Sequence, residues 1–344
     1  VSGRLIFIGL LAFLGLAFLA IILGLHRYLK RKDLSGKSLM EEPVNEETDT
    51  TKMGLGELLV YASTILVALL LGLRMMDKVG TGFSSLATAI IMPPVMALFN
   101  ARKRTGRTIF VFLVVAIISL YMFMTYAIIG VPVKAPVLMV DTTAITMAKT
   151  TVGDVLAEGF DIYVKTGESF NRSYDNLLSS GEFKKYSADR SVFVKKGFQR
   201  NSDTFHQAPY LLVKDGRVLG GLGLYGDKTK DKDKVLEDCT IIHFSLDEDC
   251  IAGARVGDIA YRLDGMDLLL PLKQATLEKT FGQKLWLVPP SEPRDSTQLH
   301  YGIQWSTGSD HLFWNEYYAY IHFDEGNHMT GFELSTEIAR DWDE

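Results

Sequence analysis

Four apolar stretches in the first 130 residues constrain this chain more than anything else in its sequence. Leu5–Leu25 is apolar throughout, and Leu55–Met76 is apolar except for Glu57 near one end and Arg74 near the other. Gly82–Asn100 is apolar with Ser and Thr, and Thr108–Gly130 is almost wholly aliphatic and aromatic. A helix needs about 20 apolar residues to cross about 30 Å of hydrocarbon. The expected fold of this half is therefore an α-helical membrane domain of four transmembrane helices in a plasma membrane. Pro93 and Pro94 interrupt the third stretch; each removes a backbone donor and kinks a helix, leaving a kinked span or a re-entrant segment. The first stretch has no basic n-region beyond Arg4 and no small-x-small cleavage site, so it reads as a retained helix rather than a signal peptide.

Basic residues flank the apolar stretches at Arg27, Lys30, Arg31 and Lys32, and again at Arg102, Lys103, Arg104 and Arg107. Under the positive-inside rule both clusters lie in the cytoplasm. Alternation through four spans then puts the C-terminal domain outside. The acidic tract Glu41–Asp49 reads as a solvated linker. Charges in the spans sit at their ends, and the interior polar residues are Ser63, Thr64, Ser84, Ser85 and Thr88. Ionisable groups deep in a membrane mark ion paths and intramembrane active sites. Their lack argues against a transporter or intramembrane protease and for an anchor packed in the lipid bilayer.

Residues 1–130 hold 13 Lys+Arg and 8 Asp+Glu, and residues 131–344 hold 23 and 33. The acidic second part argues against nucleic acid, which demands a basic stripe. Its text alternates strands, short helices and polar turns. Tyr210–Leu224 and Tyr320–Leu334 align without gaps, sharing a Tyr, an acidic-Gly pair (Asp215-Gly216, Glu325-Gly326), a later Gly (Gly221, Gly331) and a closing Leu. Acidic-Gly between apolar runs signals a hairpin. Each hairpin follows a short helical phrase. Thr151 is the expected cap of the first, with Asp154 three residues on. Thr276 caps the second, with Glu278 in its first turn and Gly282 as its stop. The expectation is an α+β domain of two related helix–β-hairpin modules, 131–262 and 263–344; chance similarity of two hairpins is the alternative.

Thr276–Gly282, ending in Phe281-Gly282, followed by the hairpin Tyr320–Leu334, resembles the helix-plus-hairpin repeats of β-lactamase inhibitor proteins and of small lipoproteins of outer-membrane assembly. Those modules usually carry Lys-Pro after the Gly, where this chain has Gln283-Lys284. The resemblance implies a non-catalytic, protein-binding sheet. The chain also looks like membrane-anchored proteins of Gram-positive bacteria.

Cys239 and Cys250 flank a segment that reads as a strand, an acidic turn and a return. In an oxidising compartment a disulfide closing that loop is expected, contributing about 3 kcal/mol on the chain-entropy model; the alternative is two free thiols. The histidines show no metal-ligand spacing, although His322 and His328 flank one hairpin turn. No catalytic motif and no cofactor motif is present, and no metal is expected. Aromatic residues crowd the run from Tyr301 to Tyr320. Strand alternation puts Tyr317, Ala319, Ile321 and Phe323 on one face and Tyr318, Tyr320 and His322 on the other. The first set suits a core. The second is either covered in turn or, with Trp305 and Trp314, forms a binding surface. The functional expectation is a membrane-anchored extracytoplasmic binding protein, its partner another envelope protein or the same protein. The alternatives are an envelope enzyme built from scattered residues and an accessory subunit of a transport complex.

Overall fold

A computed structural model describes residues 3–32, 36–40, scattered positions between 107 and 130, 132–166, 177–179, 181–195, 208–227, 232–288, 300–306 and 312–339. The chain divides into two compact units, one built on the N-terminal residues and one spanning most of 133–342.

In the first unit, helix α1 runs Gly3–Leu29. Its 27 residues rise about 40 Å, and Leu5–Leu29 is the described helix long and apolar enough to cross a membrane. Its side chains face outward, Leu16 being 67% exposed and Phe13 70%, an apolar surface suited to lipid. This is an N-terminal apolar helix of the kind that serves as a membrane anchor or a signal sequence. The expected four-span fold is overturned: a single candidate span is described, followed by a domain built mostly of antiparallel sheet. The stretches 55–76 and 82–100 lie outside the described residues, and 108–130 is described only in part. Its described positions up to Ile129 are helical, and Tyr121 donates its hydroxyl to the Leu11 carbonyl at 3.2 Å while its ring meets Phe18 edge-on at 6.1 Å. With alternation through four spans gone, the basic clusters no longer fix the side on which the C-terminal domain lies.

Among the described residues the second unit carries fifteen strands. In chain order they are β1 (Val137–Val140), β2 (Thr143–Thr146), β3 (Asp161–Lys165), β4 (Phe183–Lys185), β5 (Phe193–Val194), β6 (Tyr210–Lys214), β7 (Arg217–Tyr225), β8 (Lys234–Val235), β9 (Thr240–Leu246), β10 (Tyr261–Leu263), β11 (Met266–Asp267), β12 (Leu285–Leu287), β13 (His300–Trp305), β14 (Glu316–Phe323) and β15 (Met329–Glu337). Three short helices join them: α2 (Val152–Ala157), α3 (Glu248–Gly257) and α4 (Gln274–Phe281). Nine strands form one sheet in the order β12-β13-β14-β15-β9-β7-β6-β3-β4, and four form a second, β11-β10-β1-β2. The core gathers alternate residues of both sheets, among them Leu138, Val140, Ile145, Leu222, Phe244 and Phe332. Phe244 of the large sheet lies 6.4 Å from Tyr261 of the small one.

Local chemistry sets the helices. Thr151 and Asp154 make the expected capping box at the start of α2, each side chain bonding the other's backbone N–H. Asp247 caps α3 by accepting from the Cys250 N–H at 2.9 Å, and α3 turns Cys250, Ile251 and Ala254 inward. α4 starts one turn earlier than expected: Lys273 occupies its N-cap, and Thr276 lies inside it, its carbonyl accepting from Thr280. Gly282 does end it, with a φ of 54° that favours glycine. Leu277 and Phe281, four apart and so on one face, are buried.

Both expected hairpins form, yet the two-module expectation is corrected. β6 and β7 join through Asp215 and Gly216, both at positive φ, the backbone of a type I′ turn. β14 and β15 join through the five residues 324–328, closed by Asp324, whose Oδ1 accepts from the His328 N–H at 2.8 Å, and their pairing is shifted by one residue relative to β6 and β7. The gapless alignment is therefore not kept in register: Tyr210 pairs with Leu222, whereas Tyr320 pairs with Glu333. A one-residue slip moves every partner to the opposite face. The flanking strands also exchange places, since the strand after α2 is interior (β3, beside β6) and the strand after α4 is an edge (β12). The two halves share one sheet through the β15–β9 ladder, and the expected boundary at 262/263 cuts β10.

The disulfide expectation is corrected as well. Both cysteines are buried thiols outside any disulfide. Asp247–Asp249 opens a helix rather than a returning strand, so the seven residues of β9 separate the thiols. That strand alone spans about 23 Å, against a Cα separation of at most about 7 Å in a disulfide. The Cys239 thiol instead donates to the Val235 carbonyl at 3.3 Å, and that of Cys250 to the Val218 carbonyl at 3.5 Å.

Candidate binding face

The site is built from the alternation of β14. Tyr317, Ala319, Ile321 and Phe323 are buried in the core, as the pattern requires. Tyr318 and Tyr320 are half-buried and His322 is exposed, all on the opposite face. Antiparallel pairing brings His300 beside His322, Gly302 beside Tyr320 and Gln304 beside Tyr318, and Trp286 of the edge strand beside Gly302.

The register brings side chains of this face into contact. Trp286, 40% exposed, lies over Gly302, where a side-chain carbon would collide with the indole. Its ring meets Tyr320 edge-on at 6.0 Å, a geometry the aromatic quadrupole favours. The Nδ1 atoms of His300 and His322 are 2.7 Å apart. Tyr318 donates its hydroxyl to Glu316 Oε2 at 2.7 Å; burial, and then this carboxylate, push the Tyr318 pKa up. Burial, and then the neighbouring His300, hold the His322 pKa below the ordinary histidine value.

Of the residues expected to form a surface, Tyr318, Tyr320 and His322 therefore share a face. Trp305 does not: it is 2% exposed, pairs with Tyr317 on the core side and meets Phe281 edge-on at 5.9 Å. Trp314 is half-buried in the turn before β14. Sequence reasoning missed Trp286, His300 and Gln304. The signal was available in His300-x-Gly302-x-Gln304, whose small and polar residues alternate with the buried Tyr301, Ile303 and Trp305. His328 does not converge on His322; it turns to Asp324, with Nδ1 3.4 Å from Oδ2.

Towards the middle of the sheet the same face becomes a polar row in which His243, Ser245 and Ser335 are buried. Ser335 and His243 continue the line of Tyr318, and Glu333 and Ser245 that of Tyr320. His243 Nε2 lies 3.9 Å from Glu333 Oε1. Ser245 Oγ has no hydrogen-bond partner among the described residues. Among the described residues no three His, Cys, Asp or Glu converge as metal ligands. No family model matches the chain, and no curated protein or solved structure matches it.

Proposed function

We propose that this is a membrane-tethered binding protein whose sheet domain docks another protein through the face formed by Trp286, Tyr320, His300 and His322. The observation that carries this reading is the half-open Trp286–Tyr320 pair on the side of the sheet away from the core. Such rings offer large contact area with few rotors to freeze, and they dominate interface energetics elsewhere. β12, an edge strand with Trp286 and Leu287 exposed, gives the same partner backbone groups to pair with. The resemblance to inhibitor and assembly modules, which present a sheet face to a protein, agrees with this use. α1 supplies the tether, with Arg27–Lys32 as its cytoplasmic flank. A photo-crosslinking residue placed at position 286 or 322 in native membranes should trap one discrete partner, and one placed at Lys184, on the far edge of the sheet, should not. Equal crosslinking from all three positions would refute the assigned face.

A further inference from the structure

We propose that His300 and His322 form a binding site for a divalent late transition ion, with copper(II) or nickel(II) as the best fit. The two residues stand directly opposite each other on β13 and β14, and their Nδ1 atoms are 2.7 Å apart with ring centroids at 4.5 Å. Imidazole suits copper, nickel and zinc. With metal–nitrogen bonds of about 2.0 Å, two ligands at right angles are about 2.8 Å apart, and two ligands on a tetrahedron about 3.3 Å. The observed separation matches the right-angled edge, the geometry that square-planar copper(II) and nickel(II) prefer.

The pair is also held in place. The Cδ2 side of the His322 ring rests against Gly331 of β15, where a side-chain carbon would sit 3.3 Å away, which leaves the Nδ1 side turned to His300. In the metal-free pair one Nδ1 donates to the other. Binding needs both lone pairs, so the donor ring changes tautomer, its proton passing to Nε2 through solvent, and no net proton is released. His322 is exposed, so water can fill the remaining positions. This site does not require the partner docking proposed above.

The test is titration of the full chain in detergent micelles with nickel chloride and with copper sulfate, followed by calorimetry and, for copper, by electron paramagnetic resonance. The expected result is one ion per chain with two nitrogen ligands. H300A or H322A should weaken binding about tenfold or more, the double variant at least as much as either single, and H328A not at all. H300N and H322N, with far-ultraviolet circular dichroism unchanged, separate ligand loss from unfolding. No stoichiometric binding, equal loss in H328A, or singles that retain the affinity of the unchanged chain would each overturn the site.

Discussion

Tyr261 donates its hydroxyl to the Leu219 carbonyl at 2.7 Å, and this bond ties the small sheet to the large one across the core. Leu219 is the extra residue of a bulge, lying between the pairs Leu212–Gly220 and Val213–Val218, so the ladder leaves it without a facing residue. Both residues are buried, and a buried carbonyl left bare costs about 1–3 kcal/mol. Tyr261→Phe should therefore lower the unfolding free energy by about that amount, measured by denaturant titration. A change within error would mean that water replaces the hydroxyl.

The two faces of β14 should respond differently to truncation. Phe323 is 2% exposed, and Phe323→Ala should destabilise the domain by about 3–5 kcal/mol. Tyr320→Ala leaves the core untouched and should cost much less stability while weakening docking. If thermal melts show both variants falling equally, the outer face is structural.

Gly302 is the seat of Trp286. Gly302→Ala should push the indole off the sheet, raise its exposure to a soluble fluorescence quencher, and cost about 1–3 kcal/mol from overpacking. Trp286→Ala combined with Gly302→Ala should recover most of that loss, because the collision is then gone. A full penalty in the double variant would place the strain elsewhere.

Alkaline pH should unfold this domain through its buried acids. Burial pushes the Cys239 thiol up to about 11, and burial likewise raises Tyr210 to about 12. Tyr186 is raised to about 12 by burial and then by the hydrogen bond to Glu237. A group whose pKa is higher folded than unfolded stabilises the fold fully below its unfolded value and loses that contribution as pH rises through its folded one. Stability should thus hold near neutrality and fall between about pH 9 and 12, as a urea series across that range would record. In the same preparations both thiols should resist a thiol reagent at pH 8 until denaturant is added. A linked Cys239–Cys250 peptide in a non-reducing digest would contradict the two-thiol arrangement.

What the sequence revealed follows from how local each signal is. The alternation from Tyr317 to Phe323, the Thr151–Asp154 box, the stop at Gly282 and the turn at Asp215-Gly216 depend on neighbours within a few residues, and all four were legible. The start of α4 was misplaced because Thr276 is a good cap by type, whereas the helix begins after Lys273 with no side-chain cap. The strand order was not legible, since hydrophobic patterning gives each strand a face and not a neighbour; nothing in β9 shows that it lies between β7 and β15. The candidate face depends on that order. Trp286 meets Tyr320, and His300 meets His322, only once β12, β13 and β14 are laid side by side.

The place of β15 bears on how this domain is made. Among the described strands, β12, β13 and β14 reach the rest of the large sheet only through the β15–β9 ladder, and β15 is the last of them in chain order. During synthesis β9 waits with an open edge for a partner more than eighty residues downstream. Assembly is therefore a late, long-range closure of the slow-folding kind. A chain released before Met329 would hold two exposed strand edges, β9 and β14, that invite pairing with a neighbouring chain.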